Sequence, residues 1–466
     1  MNNSPARVAA ELRRSTGAWA SAEDAILDAA SCDFGGVIRK KPAVVVRPAN
    51  TAQVAAVLRH ATRHCIPVSV RGAGHSVGGQ TLSEGGIVLD TRDLHHVSEP
   101  NVAALTIDAE PGAKWHSVVA RALQHGLVPP VLTGTHGTSV GGTHSVGGLG
   151  HASHLHGTQA DNCLGLEVVT AQGEVCWCDA HTRTELFEHV LCGLGQLAVI
   201  TRVRLRVRRH RPFVRRWRFF YTQLGPMLRD LEALALTGAA DYLAGYGFAV
   251  DGRFAYSVGI AFEADHDSEA EREAALAAVQ ANVVRGPIIQ RFHDFMTQQP
   301  LSDDRDTRAP ALGKINPWID LLVPAAQIRS DLEDVLRCFP ASLLRSATML
   351  FWPLRRDRFT RPLFRVPEAE QFFLAGIYPT VSHTDKPDAL AALAVATDRI
   401  VSAGGTRYVY AWMPFDESGW ARHYGERWSA LCRLKAEYDP QMILNRGVIH
   451  YSAAEEPVVA VPAAAL

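Results

Sequence analysis

The N-terminal part of the chain alternates short apolar runs with segments of helical periodicity. Residues 43–48 form a β-branched run closed by proline, which predicts a buried strand. Apolar side chains then recur at helical spacing between Val54 and Cys65, and Thr51 is placed to cap that helix. Residues 67–70 form another strand that ends at a glycine-rich turn. This order predicts a strand–helix–strand unit with its turn at the carboxyl end of a strand, where α/β folds bind ligands.

Glycine is concentrated in two stretches, residues 71–80 and residues 133–150. The second is predicted to be a loop, because each glycine disfavours a helix by about 1 kcal/mol. Backbone without Cβ atoms exposes N–H groups that bind anions, so two such loops indicate a ligand with a diphosphate. Neither stretch has the glycine spacing of a Rossmann dinucleotide site or of a P-loop. Tight turns without a ligand are the alternative, and a further glycine turn at 193–196 makes that alternative less favoured.

The pattern changes near Pro212, where longer amphipathic segments begin. Strand-like segments at 242–250 and 254–262 are rich in aromatic and apolar residues. We therefore place a domain boundary near Pro212.

Composition places the chain among soluble globular proteins. Of 466 residues, 47% are hydrophobic and 20% are charged, and the net charge of -1 creates no overall field toward nucleic acid or an anionic membrane. Nine arginines lie between Arg202 and Arg218, and several alternate with apolar residues, which indicates a solvated strand face rather than a nucleic-acid groove. We expect no nucleic-acid partner.

The sequence also lacks the marks of a membrane or secreted protein. It has no apolar stretch near the roughly 18 residues that a membrane span needs, and its first residues contain no hydrophobic leader. Eight cysteines are sparse for this length. We expect a cytoplasmic protein with reduced thiols and no membrane partner.

Several short motifs follow one another along the chain. They are VRGAGHSVGGQ at 70–80, EPGAKW at 110–115, SVGGT at 139–143, GLGQLAVITR at 193–202, WARHYG at 420–425 and YDPQMIL at 438–444. Together they resemble the motifs of FAD-linked oxidases of the vanillyl-alcohol oxidase superfamily, which carry a PCMH-type FAD-binding domain. Within that superfamily the chain is most similar to the cytokinin dehydrogenases and the berberine-bridge-enzyme-like flavoproteins.

The resemblance implies an α+β fold and an FAD cofactor. It implies a two-subdomain FAD-binding domain over 1–210, a substrate-binding cap domain with an antiparallel sheet backed by helices over 211–432, and a return segment over 433–466. It also implies that His75 is joined covalently to the 8α-methyl carbon of the flavin. Further cofactor contacts are implied for Gly72, Ala73, Gly74, Ser76, Gln80, Ser139, Gly142, Ser145, Leu149, Ile200 and Asn445.

The sequence departs from the family pattern at two positions. Berberine-bridge-type enzymes hold the flavin through a second link to a cysteine, but the corresponding position here is Thr135 or a close neighbour. We therefore expect a single covalent link. Cytokinin dehydrogenases place an aspartate in the same loop to take a proton from the substrate, and here that position is Gly134. No carboxylate occurs over 113–160, so a different base must serve if one is needed.

Candidates for that base are few. His136 lies in the same loop, and the near-neutral pKa of a histidine suits proton abstraction, although a polar loop residue is the simpler interpretation. Tyr410 could point from a cap strand toward the flavin, although aromatic residues in a strand commonly pack in the core. An acid of the middle region, such as Asp241 or Glu263, could also reach the site.

Five histidines between residues 136 and 156 raise the possibility of a metal site. Their spacing matches no recognised ligand pattern, and no carboxylate or cysteine accompanies them. We therefore expect no metal among His136, His144, His151, His154 and His156.

These observations predict an FAD-dependent oxidase or dehydrogenase of specialised metabolism. It would take a hydride from a C–H bond next to an amine or a hydroxyl of a small molecule and pass electrons to oxygen or another acceptor. The alternatives are a flavin-binding protein without turnover, a cytokinin-type amine dehydrogenase with a substituted base, and a histidine-rich metalloprotein.

Overall fold

The computed structural model describes residues 4–250, 253–265, 270–298, 313–413 and 415–451. Helices and strands are mixed along the whole of this part of the chain, which confirms the expected α+β class. Two four-stranded sheets form the N-terminal half, and one eight-stranded sheet forms most of the remainder.

The first sheet, called here the N-terminal sheet, contains the predicted strand–helix–strand unit. Its strands lie in the order Trp19–Ser21, Val44–Arg47, Ile87–Asp90 and Val68–Arg71, and the last three are parallel. The helices Pro5–Thr16, Asp24–Ala30 and Thr51–Arg63 accompany it. The cap of the third helix is Asn50 rather than the predicted Thr51, because the Asn50 side chain accepts a hydrogen bond from the Gln53 N–H at 3.0 Å.

The second sheet, called the central sheet, is antiparallel. Its strands lie in the order Thr106–Ala109, Ala198–Arg206, Cys163–Thr170 and Val175–Asp179. The helices around it are Trp115–Leu123, Val140–His144, Ser153–His156 and Thr184–Val190.

The prediction that residues 133–150 form a loop throughout was wrong for one short segment. Residues Val140–His144 form a helix. The Gly141 N–H donates to the Pro111 carbonyl at 2.9 Å, and a Cβ atom at Gly141 would lie 2.6 Å from Pro111 Cβ. Tertiary contact that only glycine permits therefore outweighs the low helix propensity of the segment.

The third sheet, called the cap sheet, has eight antiparallel strands. In spatial order they are Val283–Arg291, Phe213–Tyr221, Arg253–Ala264, Tyr242–Val250, Thr348–Arg355, Gln371–Tyr378, Ile319–Pro324 and Thr406–Arg407. Helices Leu224–Thr237, Ile328–Arg337 and Lys386–Ser402 share one apolar core with this sheet. The expected antiparallel sheet backed by helices is thus confirmed.

Shorter elements complete the chain. Paired two-residue strands are Leu127–Val128 with Arg208–Arg209, and Lys314–Ile315 with Val381–Ser382. The remaining helices are Ala270–Ala274, Phe292–Thr297, Ala341–Ser346, Glu417–Tyr424 and Trp428–Tyr438. None of the helices in the described ranges has the length and apolar character that crossing a membrane requires.

The last helix brings the chain back to the N-terminal half. The buried ammonium of Lys435 donates to the carbonyls of Gln196 and Leu444, at 2.8 and 2.9 Å, and to the carboxylate of Asp439 at 2.7 Å. The Asn445 N–H then donates to the Val68 carbonyl at 2.8 Å. The segment after residue 438 is therefore held against the N-terminal and central sheets. The domain limits at 210 and 432 stay predictions.

Candidate active site

A cavity of about 950 Å³ lies between the glycine-rich loops and the open face of the cap sheet. Every residue for which the sequence implied a cofactor contact lines it, from the loop at 72–80 to Asn445. Tyr410 lines it from the cap side. The topology therefore brings together residues that are more than three hundred positions apart in the sequence.

Aromatic rings fix His75 at the wall of this cavity. Its imidazole stacks on Phe34, with 4.1 Å between ring centroids and 11° between planes. The indole of Trp318 stands edge-on to the imidazole at 6.2 Å. The imidazole plane is therefore held by contacts from two parts of the chain.

A buried carboxylate, which the sequence analysis missed, shapes the turn after His75. Asp33 accepts hydrogen bonds from the Ser76 hydroxyl at 3.0 Å and from the Gly79 N–H at 2.8 Å. Burial raises the pKa of Asp33 to about 6. Asp33 precedes a glycine pair in the sequence, and this polar residue beside a tight turn was the available signal.

The two glycine-rich loops approach each other closely at Gly72 and Ser139. A Cβ atom at Gly72 would lie 2.1 Å from the Ser139 hydroxyl oxygen, and that oxygen accepts a hydrogen bond from the Ala73 N–H at 3.3 Å. Among the described residues that line the cavity there is no carboxylate. Bare backbone on a cavity wall that carries no carboxylate suits a diphosphate, so these loops fit FAD.

Asn445 connects the C-terminal segment to two cavity-lining residues, Val70 and Leu194. Its backbone has a left-handed φ of 46°, and its side-chain amide donates to the Leu194 carbonyl at 2.6 Å. Its side-chain oxygen accepts a hydrogen bond from the Val70 N–H at 3.2 Å. A Cβ atom at Gly195 would lie 2.6 Å from the Asn445 amide nitrogen, so this junction requires glycine.

Gln80 connects the glycine-rich loop at 71–80 to the segment at 409–411. Its amide nitrogen lies within 3.2 Å of the carbonyl oxygens of Val409, Tyr410 and Ala411, and its side-chain oxygen accepts a hydrogen bond from the Gly78 N–H at 2.9 Å. Gln80 lines the cavity, but its amide is engaged in positioning the segment that carries Tyr410.

An acidic residue lies beside Tyr410 on the cap sheet. Asp320 is fully buried, and its Oδ1 accepts a hydrogen bond from the Tyr378 hydroxyl at 2.8 Å. Its Oδ2 has no hydrogen-bond partner among the residues described. Burial raises the pKa of Asp320 to about 7, and the hydroxyls of Tyr378 and Tyr410 lower it in part.

Glycine and tryptophan shape this cluster. A Cβ atom at Gly376 would lie 2.6 Å from the Tyr378 hydroxyl and 2.9 Å from Asp320 Oδ1, so glycine leaves the space in which the two meet. The indole of Trp318 stacks on the Tyr378 ring at 4.4 Å and also contacts the ring of His75. Trp318 thus packs against both His75 and Tyr378, the tyrosine that donates a hydrogen bond to Asp320.

The sequence contained a signal for Asp320 that was overlooked. The strand Ile319–Pro324 reads IDLLVP and is buried at every position. A carboxylate in a continuous apolar strand must be buried, and buried acids with perturbed pKa values are concentrated at functional sites.

The other candidate bases lie elsewhere. His136 is buried and does not line the cavity, and burial with nearby His116 lowers its pKa to about 4. Asp241 forms an ion pair with Arg272 at 2.9 Å. Glu263 forms an ion pair with Arg208 at 2.5 Å, and neither acid reaches the cavity wall.

The histidines at 144–156 are engaged separately rather than converging on one point. A ring nitrogen of His144 is 2.8 Å from the Val140 carbonyl, and one of His154 is 2.9 Å from the Ala240 carbonyl. His151 lines the cavity, where its ring nitrogen is 3.1 Å from the Tyr246 hydroxyl.

Comparison with known proteins agrees with this geometry. Residues 42–179 match an FAD binding domain, and residues 251–449 match the family described as cytokinin dehydrogenase 1, FAD and cytokinin binding. Cytokinin dehydrogenase 10 of Oryza sativa subsp. japonica is 30% identical over 475 residues, which cover 90% of this chain and 86% of that protein. The chain belongs to the cytokinin dehydrogenase family of FAD-dependent oxidoreductases.

A further relative matches most of the chain, and two solved structures share its fold. An uncharacterized oxidoreductase, ORF5 in the fasciation locus of Rhodococcoides fascians, is 32% identical over 93% of this chain and 98% of its own. A carbohydrate oxidase from Microdochium nivale shares the fold with a TM-score of 0.78 at 15% identity, covering 94% of this chain and 99% of its own. Glucooligosaccharide oxidase from Acremonium strictum does so with a TM-score of 0.72 at 14% identity, covering 93% and 97%. The expected PCMH-type fold and FAD cofactor are confirmed at the level of the family.

Proposed function

We propose that this oxidoreductase removes a hydride from a carbon bearing a hydroxyl or an amine in a small molecule, with its FAD held covalently by His75. His75 and the glycine-rich loops would hold FAD, which would supply the hydride acceptor and a route for the electrons to oxygen or another acceptor. The observation that carries the proposal is a cavity lined by His75 on one side and by Tyr378 and Tyr410 on the other, with Asp320 buried behind these two tyrosines and Trp318 packed between His75 and Tyr378.

Contacts around His75 support its role as the attachment residue. The ring lies flat against Phe34 in a turn braced by Asp33, so its direction is defined before any cofactor binds. The glucooligosaccharide oxidase that shares the fold is described with a 6-S-cysteinyl, 8α-N1-histidyl FAD. In this chain the position that corresponds to the second cysteine is Thr135 or a close neighbour, and no cysteine lies between Cys65 and Cys163, which supports one link rather than two.

Tyr410 is the residue best placed to accept the substrate proton. As its hydroxyl oxygen takes a proton from the substrate O–H or N–H, its own proton passes to the carboxylate of Asp320, with which the Tyr410 hydroxyl interacts. The pKa of Asp320, raised to about 7 by burial, suits a proton acceptor near neutral pH. The Tyr378 hydroxyl supports the carboxylate through Oδ1. This pair replaces the carboxylate missing at Gly134.

Attachment is tested by the mass and colour of the denatured chain. Wild-type protein expressed with ample riboflavin should stay yellow after acid denaturation and show the mass of chain plus FAD. His75→Ala should lose both properties, because no other nucleophile replaces the imidazole, while Phe34→Leu should keep them. Colour that stays with denatured His75→Ala would show that another residue forms the link.

Turnover is tested by anaerobic bleaching of the flavin with a panel of alcohols and amines. With a substrate found in this way, Tyr410→Phe should slow bleaching by about 10²- to 10⁴-fold, the usual contribution of general base catalysis. Tyr408→Phe is the matched control, because Tyr408 lines the same cavity but its hydroxyl accepts a hydrogen bond from the Gly148 N–H at 3.0 Å. Failure of the whole panel to bleach a flavin-loaded protein would favour flavin binding without turnover.

A further inference from the structure

The cap side of the cavity carries positive charge. Arg218 and Lys314 line it, and the part of the chain that the structure describes contributes no aspartate or glutamate to the lining. The rest of this wall is mainly apolar or aromatic, with Tyr246, Leu350 and Trp352 among its residues. A neutral ligand would provide neither of these two charges with a counter-ion.

The guanidinium of Arg218 is positioned by its neighbours. Arg218 is paired across strands with Gly259, and a Cβ atom at Gly259 would lie 3.8 Å from an Arg218 nitrogen. The guanidinium therefore extends over the sheet and lies 5.7 Å from the centroid of the Tyr246 ring. That ring is itself stacked on Phe248, at 6.1 Å and 13°. The arginine is thus directed along the cavity wall rather than away from it.

No carboxylate in the described ranges forms an ion pair with Arg218, which is exposed toward the cavity. Its cross-strand partner on the edge strand is Arg285, so two like charges stand side by side on one face of the sheet. Such a pair is destabilising. An anion bound by Arg218 would offset this repulsion. Arg218 differs in this respect from a surface arginine that is already paired with an acid.

The register of the cap sheet sets the distance between this charge and the proton acceptor. Tyr246 is paired with Leu350, Leu350 with Gly376, and Gly376 with Asp320. Three strand spacings separate Tyr246 from Asp320, a distance of about 14 Å. A ligand that spans this wall is therefore elongated.

We propose that Arg218 binds an anionic group at the far end of an elongated, partly aromatic substrate. The group is a carboxylate or a phosphate monoester, both of which form charge-assisted hydrogen bonds with a guanidinium. This inference rests on the proposed function, because it names the substrate class of the same cavity. It predicts that short hydroxy acids, which cannot extend from Arg218 to the end of the wall beside Tyr410 and Asp320, are poor substrates.

The test compares an anion with its neutral counterpart in the FAD-loaded enzyme. Cinnamate, cinnamamide and phenyl phosphate are titrated by calorimetry and by their effect on the visible spectrum of the flavin. The wild type should bind cinnamate at least about 10-fold more tightly than cinnamamide, as expected for a hydrogen bond to a charged group. The preference should shrink with added salt. Tighter binding of phenyl phosphate than of cinnamate would identify the group as a phosphate ester, and the reverse order as a carboxylate.

Two variants localise the effect. Arg218→Gln should abolish the preference for cinnamate, whereas Arg285→Gln should keep it, because Arg285 lies over Phe220 on the same face but does not line the cavity. FAD content per chain, measured for both variants, verifies that they fold.

Several results would overturn the inference. They are equal affinity for cinnamate and cinnamamide, no binding of either anion, a preference that survives in Arg218→Gln, and equal loss in both variants. Binding requires no turnover, so an anion preference without any bleaching would contradict the proposed function alone, and bleaching without the preference would contradict this inference alone.

Discussion

Replacing Asp320 by asparagine tests the proposed acceptor of the proton relayed by Tyr410, and it does so without requiring a substrate. The carboxyl is fully buried, and the Tyr378 hydroxyl donates to its Oδ1 at 2.8 Å. An asparagine oxygen can accept the same hydrogen bond, so Asp320→Asn conserves shape and removes only the ability to ionise. Wild type and variant should therefore differ mainly in how their stability depends on pH.

The magnitude follows from the pKa of this one group. Burial raises the pKa of Asp320 from an ordinary 3.8 to about 7. The folded state then holds the proton more tightly than the unfolded state, so the wild type loses stability as pH rises between these two values. A shift of about three units at 1.36 kcal/mol per unit corresponds to about 4 kcal/mol. The free energy of unfolding of Asp320→Asn, relative to wild type, should rise by about that amount between about pH 4 and about pH 9.

The assay is urea unfolding followed by tryptophan fluorescence at a series of pH values. The matched control is Asp398→Asn, an exposed carboxyl on the helix Lys386–Ser402, whose difference from wild type should change little over the same range. A difference for Asp320→Asn that stays constant within about 1 kcal/mol would show that this carboxyl ionises as in solution. The reasoning about its burial and its role as proton acceptor would then be refuted.

Two further predictions concern parts of the fold that hold the site. Lys435→Met should lower the free energy of unfolding by about 3–5 kcal/mol, because it leaves the carboxylate of Asp439 buried without its cation. A loss below about 1 kcal/mol, measured by urea unfolding, would contradict this prediction. Gly72→Ala should reduce bound FAD per chain, since the new Cβ displaces the Ser139 hydroxyl from the Ala73 N–H, and full occupancy by absorbance would show that the loops separate without cost.

Local sequence was informative where the backbone itself forms the site. The stretches at 71–80 and 133–150 indicated a diphosphate ligand because glycine permits backbone that other residues cannot adopt, and both line the cavity. The same reasoning gave the wrong conformation for Val140–His144, where a contact with Pro111 favours a helix. Helix propensity describes a segment in isolation and does not include packing against a residue that is distant in the sequence.

Residues whose role depends on several strands were not found in this way. Asp320 matters because Gly376 leaves room for Tyr378 beside it, and these residues come from different strands. Arg218 belonged to a run interpreted as a solvated basic face, yet the path over Gly259 directs it to the cavity. Neither of these contacts between strands can be recognised from the spacing of the residues in the sequence.

By itself, the sequence determined the family, the α+β class, the FAD cofactor and the glycine-rich loops that line the cavity, because those depend on short motifs with strict backbone requirements. Only the tertiary structure decided which acid faces Tyr410, which candidate bases lie away from the cavity, and which charges line the substrate side. Burial and proximity are properties of the assembled sheets, and they set both the pKa of a carboxyl and the partner of a guanidinium.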